Sequence, residues 1–216
     1  MTGPLLYFEP DAPVYYYSNR MARAYLLGLE EALGKNGVKT VLNFAGVRNR
    51  INNYPPDDLD LGFEFRELSS IQQALEEMYG PRGGKGLAMQ AGRVTFKYGL
   101  RQFEGVIGIA DLALRLIPLG MKIKIGAETF ASIFNRFSDQ VVVIEEYSDH
   151  YLWNNERCAV CWGRHSDAPC CHLAVGILKE GLRWVSGGRD FRVEETACIA
   201  HGDAACQFYI AKKPIR

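Results

Sequence analysis

All six cysteines of this 216-residue chain lie between Cys158 and Cys206. Cysteines clustered in this way, with no export signal ahead of them, point to metal ligands or reactive thiols rather than disulfides. The set best suited to a metal is Cys171, Glu195, Cys198 and Cys206. Three thiolates and one carboxylate fill a tetrahedral zinc shell and leave no open position, so such an ion would be structural. Cys171 is expected to open a helix, where free amide groups favour a thiolate. Glu195 and Cys198 fall on one expected strand, three positions apart, and a flat strand would send them to opposite faces. A bulge or a strand end is needed to bring them together. Cys198 and Cys206 flank a tight turn at Gly202-Asp203. Cys158 and Cys161 form a separate C-x-x-C pair, for which a second metal site, a redox dithiol and an inert pair all stay open. Cys170 and His172 flank Cys171 and are the alternative ligands.

The elements that must position these residues follow from hydrophobic spacing. Ala22, Tyr25, Leu26, Leu29 and Leu33 recur at helical spacing after Ser18, and Gly34 and Gly37 stop that helix. Val38–Phe44 is a short element of open type, and residues 46–68 read as a long loop. A second helix starts at Ser69 or Ser70. The glycines of Gly80–Gly86 lack the Ser or Thr that a phosphate loop needs after its Lys, so they read as a mobile helix connector. Leu87–Leu100, Phe103–Leu116 and Ala127–Phe137 read as three more helices, and the Phe130, Ile133, Phe134, Phe137 stripe is core first and pocket wall second. Gln140–Tyr147 reads as a strand with a partner at Tyr151–Trp153. Pro169–Ser186 is a helix ended by Gly187-Gly188, and Phe191–His201 and Gln207–Ile210 form a closing hairpin. Helices first and strands later predict an α+β fold, with helices packed on an antiparallel sheet and a C-terminal Cys-rich zinc module. A chain of this length suits one domain over residues 1–216.

Composition narrows the function classes. Lys+Arg and Asp+Glu balance at 25 each, so there is no electrostatic reason to expect nucleic-acid binding. No apolar run is long enough to span a bilayer and the N-terminus lacks a signal peptide, so a cytoplasmic location is expected. No motif for a reducing cofactor or a hydrolase stands in the chain. Glu145-Glu146 point to opposite faces of a strand and are no acid/base couple.

The stretch C-x-x-C-W-G-R-x-S-D-x-P-C-C-H-x-x-x-G from Cys158, then W-x-x-G-G, then V-E-E-x-x-C-x-A-x-G-D-x-x-C-x-F from Val193, resembles the vinyl-4-reductase domain family, most specifically over residues 141–212. The family is named for bacteriochlorophyll 4-vinyl reduction and includes phenol-sensing domains of transcription activators. It is similar in fold to haem nitric-oxide-binding domains. The resemblance implies zinc at Cys171, Glu195, Cys198 and Cys206, and an aromatic ligand near His150 and Trp153, with Phe130 and Phe134 in the pocket wall. The function it implies is a sensor or carrier of a small apolar or aromatic ligand that works through a partner protein. An accessory protein or enzyme of tetrapyrrole 4-vinyl reduction and an assembly subunit are the alternatives, and a homodimer is left open.

Overall fold

The computed structural model describes residues 6, 8, 11–102 and 117–215. A short strand β1 (Tyr16–Ser18) runs straight into α1 (Asn19–Phe44). Gly34 breaks α1 with φ 71° and ψ 162°, a conformation that costs glycine least. Val38–Phe44 then continues as a second helical arm that buries Val38, Val41 and Leu42. The expected loop after it contains β2 (Leu61–Glu64), which pairs antiparallel with β1.

Helix α2 (Phe65–Gln102) starts ahead of the expected serine caps. Glu67 fixes that start: its carboxylate accepts the Glu64 N–H at 3.1 Å and is gripped by Arg50 through Nε at 2.8 Å and Nη2 at 2.9 Å. A first-turn carboxylate also suits the helix dipole. The Gly80–Gly86 stretch is helical except at Gly80 itself, which corrects the expectation of a mobile connector. Pro81 follows the break, at the start of the second arm, where its missing N–H is not needed. A Cβ on Gly84 would lie 2.7 Å from Glu76 Cα, so glycine lets the two arms turn sharply on each other. The expected helix Phe103–Leu116 lies outside the described residues. Helix α3 (Leu119–Phe137) begins well before Ala127.

The C-terminal part is a four-stranded antiparallel sheet ordered β3 (Val142–Glu146), β4 (His150–Asn155), β6 (Cys206–Pro214), β5 (Phe191–Ala197). In β4 the buried and half-buried positions alternate, so Tyr151, Trp153 and Asn155 face the core. Cys206, Phe208 and Ile210 of β6 face the same way. Helix α4 (His172–Val185) covers that face and ends at Gly187 and Gly188, both at positive φ. The fold is α+β, as expected, and one buried apolar cluster joins helices and sheet. Among the described residues no helix is long and apolar enough to cross a membrane.

Helices α2 and α4 cross with their backbones in contact. A Cβ on Gly92 would lie 2.3 Å from the Leu173 carbonyl oxygen, and one on Gly176 2.2 Å from that of Met89. Only glycine at both positions permits this approach.

Candidate metal centre and apolar cavity

Four segments bring the six cysteines into one buried cluster, and none forms a disulfide. Cys158 and Cys161 come from the loop after β4, Cys170 and Cys171 from the start of α4, Cys198 from the end of β5, and Cys206 from the start of β6. Because α4 begins at His172, Cys171 is its N-cap residue. The backbone N–H of Cys171 donates to Glu195 Oε2 at 2.7 Å. The register of β5 shifts between Glu195 and Ala197, and Cys198 lies just past the strand. That irregularity carries Cys198 to the face of Glu195, the geometry the three-residue spacing demands.

Cys171 Sγ lies 3.6 Å from Cys158, 3.8 Å from Cys198 and 3.8 Å from Cys206. Cys161 Sγ is 3.3 Å from Cys206. The C-x-x-C pair is therefore part of the main cluster. Cys170 reaches only its edge, 3.9 Å from Cys198. Ligand atoms of Cys171, Glu195, Cys198 and Cys206 lie within 4.8 Å of one another, and so do those of Cys158, Cys161, Cys171 and Cys206. A metal–thiolate bond of about 2.3 Å sets tetrahedral sulfurs about 3.8 Å apart, so this spacing suits ligation of an ion.

Crowding splits the acidities of these groups. Thiol donors, Cys161 first, push Cys198 far down, while burial pushes Cys171 up. Burial, and then the charge of Cys198, raises the Glu195 carboxyl to about 9. His172 is half-buried at the start of α4 and is depressed by burial.

A cavity of about 100 Å³ lies between the helices. Met21 and Tyr25 of α1, Thr95, Phe96 and Gly99 of α2, Phe130 and Phe134 of α3, and Leu173, Ile177 and Leu178 of α4 line it, with Tyr17 of β1. The wall is almost wholly apolar. Tyr25 accepts a hydrogen bond from Gln72 Nε2 at 2.8 Å and, buried, is held well above the usual phenol range. Tyr17 is raised by burial too, and it feels Cys158 and Cys171, so it stands between cavity and cluster. Phe130 and Phe134 are in the wall, and Trp153 packs edge-on behind Phe134 at 5.8 Å. His150 is elsewhere: it stacks between Tyr147 and Tyr209 on the outer face of the sheet and bonds Asp149 at 2.8 Å. Tyr17, Tyr25 and Phe96 were missed in the sequence. Tyr25 was legible only as one of a helical apolar series.

No protein-family model matches the chain, and no curated protein matches it in sequence. Its fold is that of H-NOX proteins. An Fe(II) unliganded H-NOX protein from K. algicida is similar over 92% of this chain and 97% of that one, with a TM-score of 0.58 at 12% identity. An H-NOX protein from S. oneidensis in the Fe(II)NO ligation state is similar over 90% and 99%, with a TM-score of 0.55 at 12% identity. These findings correct two expectations. The family whose fold this is in the solved structures is H-NOX, not the vinyl-4-reductase domain, and vinyl reduction loses its support with it. The metal named in those neighbours is iron, so zinc as the cofactor is corrected as well.

The described residues do not fit a haem. No His or Cys lines the cavity, and its two tyrosines are held protonated, whereas haem iron takes a His, a thiolate, a Met or a tyrosinate. Met21 is the one remaining donor among the described lining residues, and no Lys or Arg stands there to pair with propionates. The volume is also below the ~300 Å³ at which pockets for larger ligands begin.

Proposed function

We propose that the chain is a binding domain for a small apolar or aromatic molecule, taken up between α1, α2, α3 and α4 and sensed or carried on behalf of a partner protein. The observation that carries this reading is the apolar cavity of about 100 Å³. Apolar cavities of about 150 Å³ stay dry and take benzene or xenon, so this one is of the right order for a ring or a short hydrocarbon. Tyr17 and Tyr25 stand in a wall that is otherwise almost wholly aliphatic and aromatic, a lining that suits an apolar ring. The shared fold with proteins that hold Fe(II) and NO supports small-molecule binding as the class, while the lining residues favour an apolar occupant over haem.

The cysteine cluster sits at one end of the same wall. Cys171 precedes α4 directly, and Leu173, Ile177 and Leu178 of α4 face the cavity. Whatever holds the cluster together thus fixes one side of the binding site.

Titration calorimetry and thermal shift with toluene, phenol and decanoate test the reading. A ligand at a hundred times its Kd adds about 2.7 kcal/mol of stability. Gly99 lines the cavity and a Cβ there meets no described residue within 4 Å, so Gly99→Leu should fill the cavity and remove the shift while the protein stays folded. No shift from any of the three in the folded wild-type chain would overturn the proposal.

A further inference from the structure

We propose that the cysteine cluster holds two soft divalent transition-metal ions side by side, with the Cys171 and Cys206 thiolates bridging them. The observation is an overlap. Two complete sets of four ligands exist, Cys158, Cys161, Cys171, Cys206 and Cys171, Glu195, Cys198, Cys206, and they share two sulfurs. One ion satisfies only one set. Placed in the first, it leaves the buried Cys198 and the half-buried Glu195 without a cation. Placed in the second, it leaves Cys158 and Cys161. Two ions use every donor in both sets.

The shared pair has the right geometry for a bridge. Cys171 and Cys206 Sγ are 3.8 Å apart, the edge of a tetrahedron of sulfurs about 2.3 Å from a metal. Two tetrahedra joined along that edge take Cys158 and Cys161 on one side and Glu195 and Cys198 on the other. A thiolate sulfur has lone pairs enough to serve both ions.

Glu195 supplies an independent sign. Its Oε2 is fixed by the Cys171 N–H, while its Oε1 is buried with no hydrogen-bond partner among the described residues. A buried, unsatisfied carboxylate oxygen is costly, and an adjacent cation removes that cost. Five thiolates and one carboxylate leave two negative charges on a two-ion centre. Arg164 is buried beside the cluster: its backbone N–H donates to the Cys161 carbonyl at 3.0 Å and its guanidinium pairs with Glu76 at 2.7 Å.

Both ions are closed, four-coordinate and shielded from solvent, so the centre is structural. It fastens the Cys158–Cys161 loop, the start of α4 and the β5–β6 hairpin at a single point. Binding releases the thiol protons to solvent. Cys170 lies outside both sets and takes no part.

The test is metal stoichiometry, which does not depend on ligand binding in the cavity. Protein purified without chelator or added metal is weighed by native mass spectrometry and its metal identified by elemental analysis, with two ions per chain expected. Cys158→Ser and Cys198→Ser should each retain one ion, and Cys170→Ser should retain both. Should a variant fail to fold, the wild-type chain still decides. Stripped of metal and titrated with cobalt(II), it should develop thiolate-to-cobalt absorption up to two equivalents. Its magnetic moment per cobalt should fall between the first and second, as bridging thiolates couple the ions. An end point at one equivalent, or no binding, overturns the proposal, as does a Cys158→Ser protein with the wild-type metal content.

Discussion

Replacing Gly176 by alanine puts a methyl group where the structure has a carbonyl. The new Cβ would lie 2.2 Å from Met89 O and 3.0 Å from Met89 C and Cα. Carbon and oxygen in comfortable contact are about 3.4 Å apart, so α2 and α4 must separate by roughly 1.2 Å at their crossing. The neighbouring atoms are Met89 backbone, so no rotamer change absorbs the strain. Overpacking of this kind costs about 1–3 kcal/mol. Alanine returns up to about 1 kcal/mol through its better helix propensity. Separation of the helices also loosens the contact of Phe96 on α2 with Trp184 on α4, now 6.3 Å between centroids. The expected net loss is about 2 kcal/mol. Urea denaturation reads it as a lower midpoint at an unchanged slope. Gly99→Ala is the control: its Cβ meets no described residue within 4 Å, so it should be neutral or gain up to about 1 kcal/mol. Equal stability of Gly176→Ala and Gly99→Ala would refute the close crossing of α2 and α4.

Glu67→Gln removes the charge from a half-buried fork in which Arg50 also donates to the Gly62 carbonyl at 2.8 Å, and it should cost about 2 kcal/mol in the same urea assay. Glu146 is held at about 2 by hydrogen bonds from Lys124 and Lys212. A carboxyl depressed on folding stabilises the protein above its ordinary pKa of 4.5 and loses that contribution as pH falls toward 2, so Glu146→Gln should flatten the thermal stability profile across that window.

The sequence made parts of this architecture legible because they depend on local chemistry. Gly34 stops a helical arm because it is free to take positive φ, and Gly187-Gly188 end α4 for the same reason. The β-branched run at residues 141–144 makes a strand, and the spacing of Glu195 and Cys198 already required the irregularity found in β5. What stayed illegible depends on tertiary contact. Glycines of the Gly80–Gly86 stretch are helical because Gly84 sits against Leu75 and Glu76, which no local pattern reveals. The start of α2 is set by Arg50 reaching Glu67 from an earlier turn. The joining of Cys158 and Cys161 to the other cysteines requires a loop after β4 to meet a hairpin some forty positions later, with Cys161 and Cys206 only 3.3 Å apart. His150 was drawn to the pocket by its type, but β4 alternation turns it outward while Trp153 turns in. The cavity wall from Tyr17 and Tyr25 reads in sequence only as part of a core. The short cysteine and glycine motifs suggested a family that the solved structures of this fold do not bear out.

Direct observation of an occupant tests the binding reading best. A crystal of the protein pressurised with xenon should show the gas in the cavity beside Phe96, Phe130 and Leu178, and a Gly99→Leu crystal should show none there. A wild-type crystal in which those side chains interdigitate and xenon binds nowhere between α1, α2, α3 and α4 would contradict it.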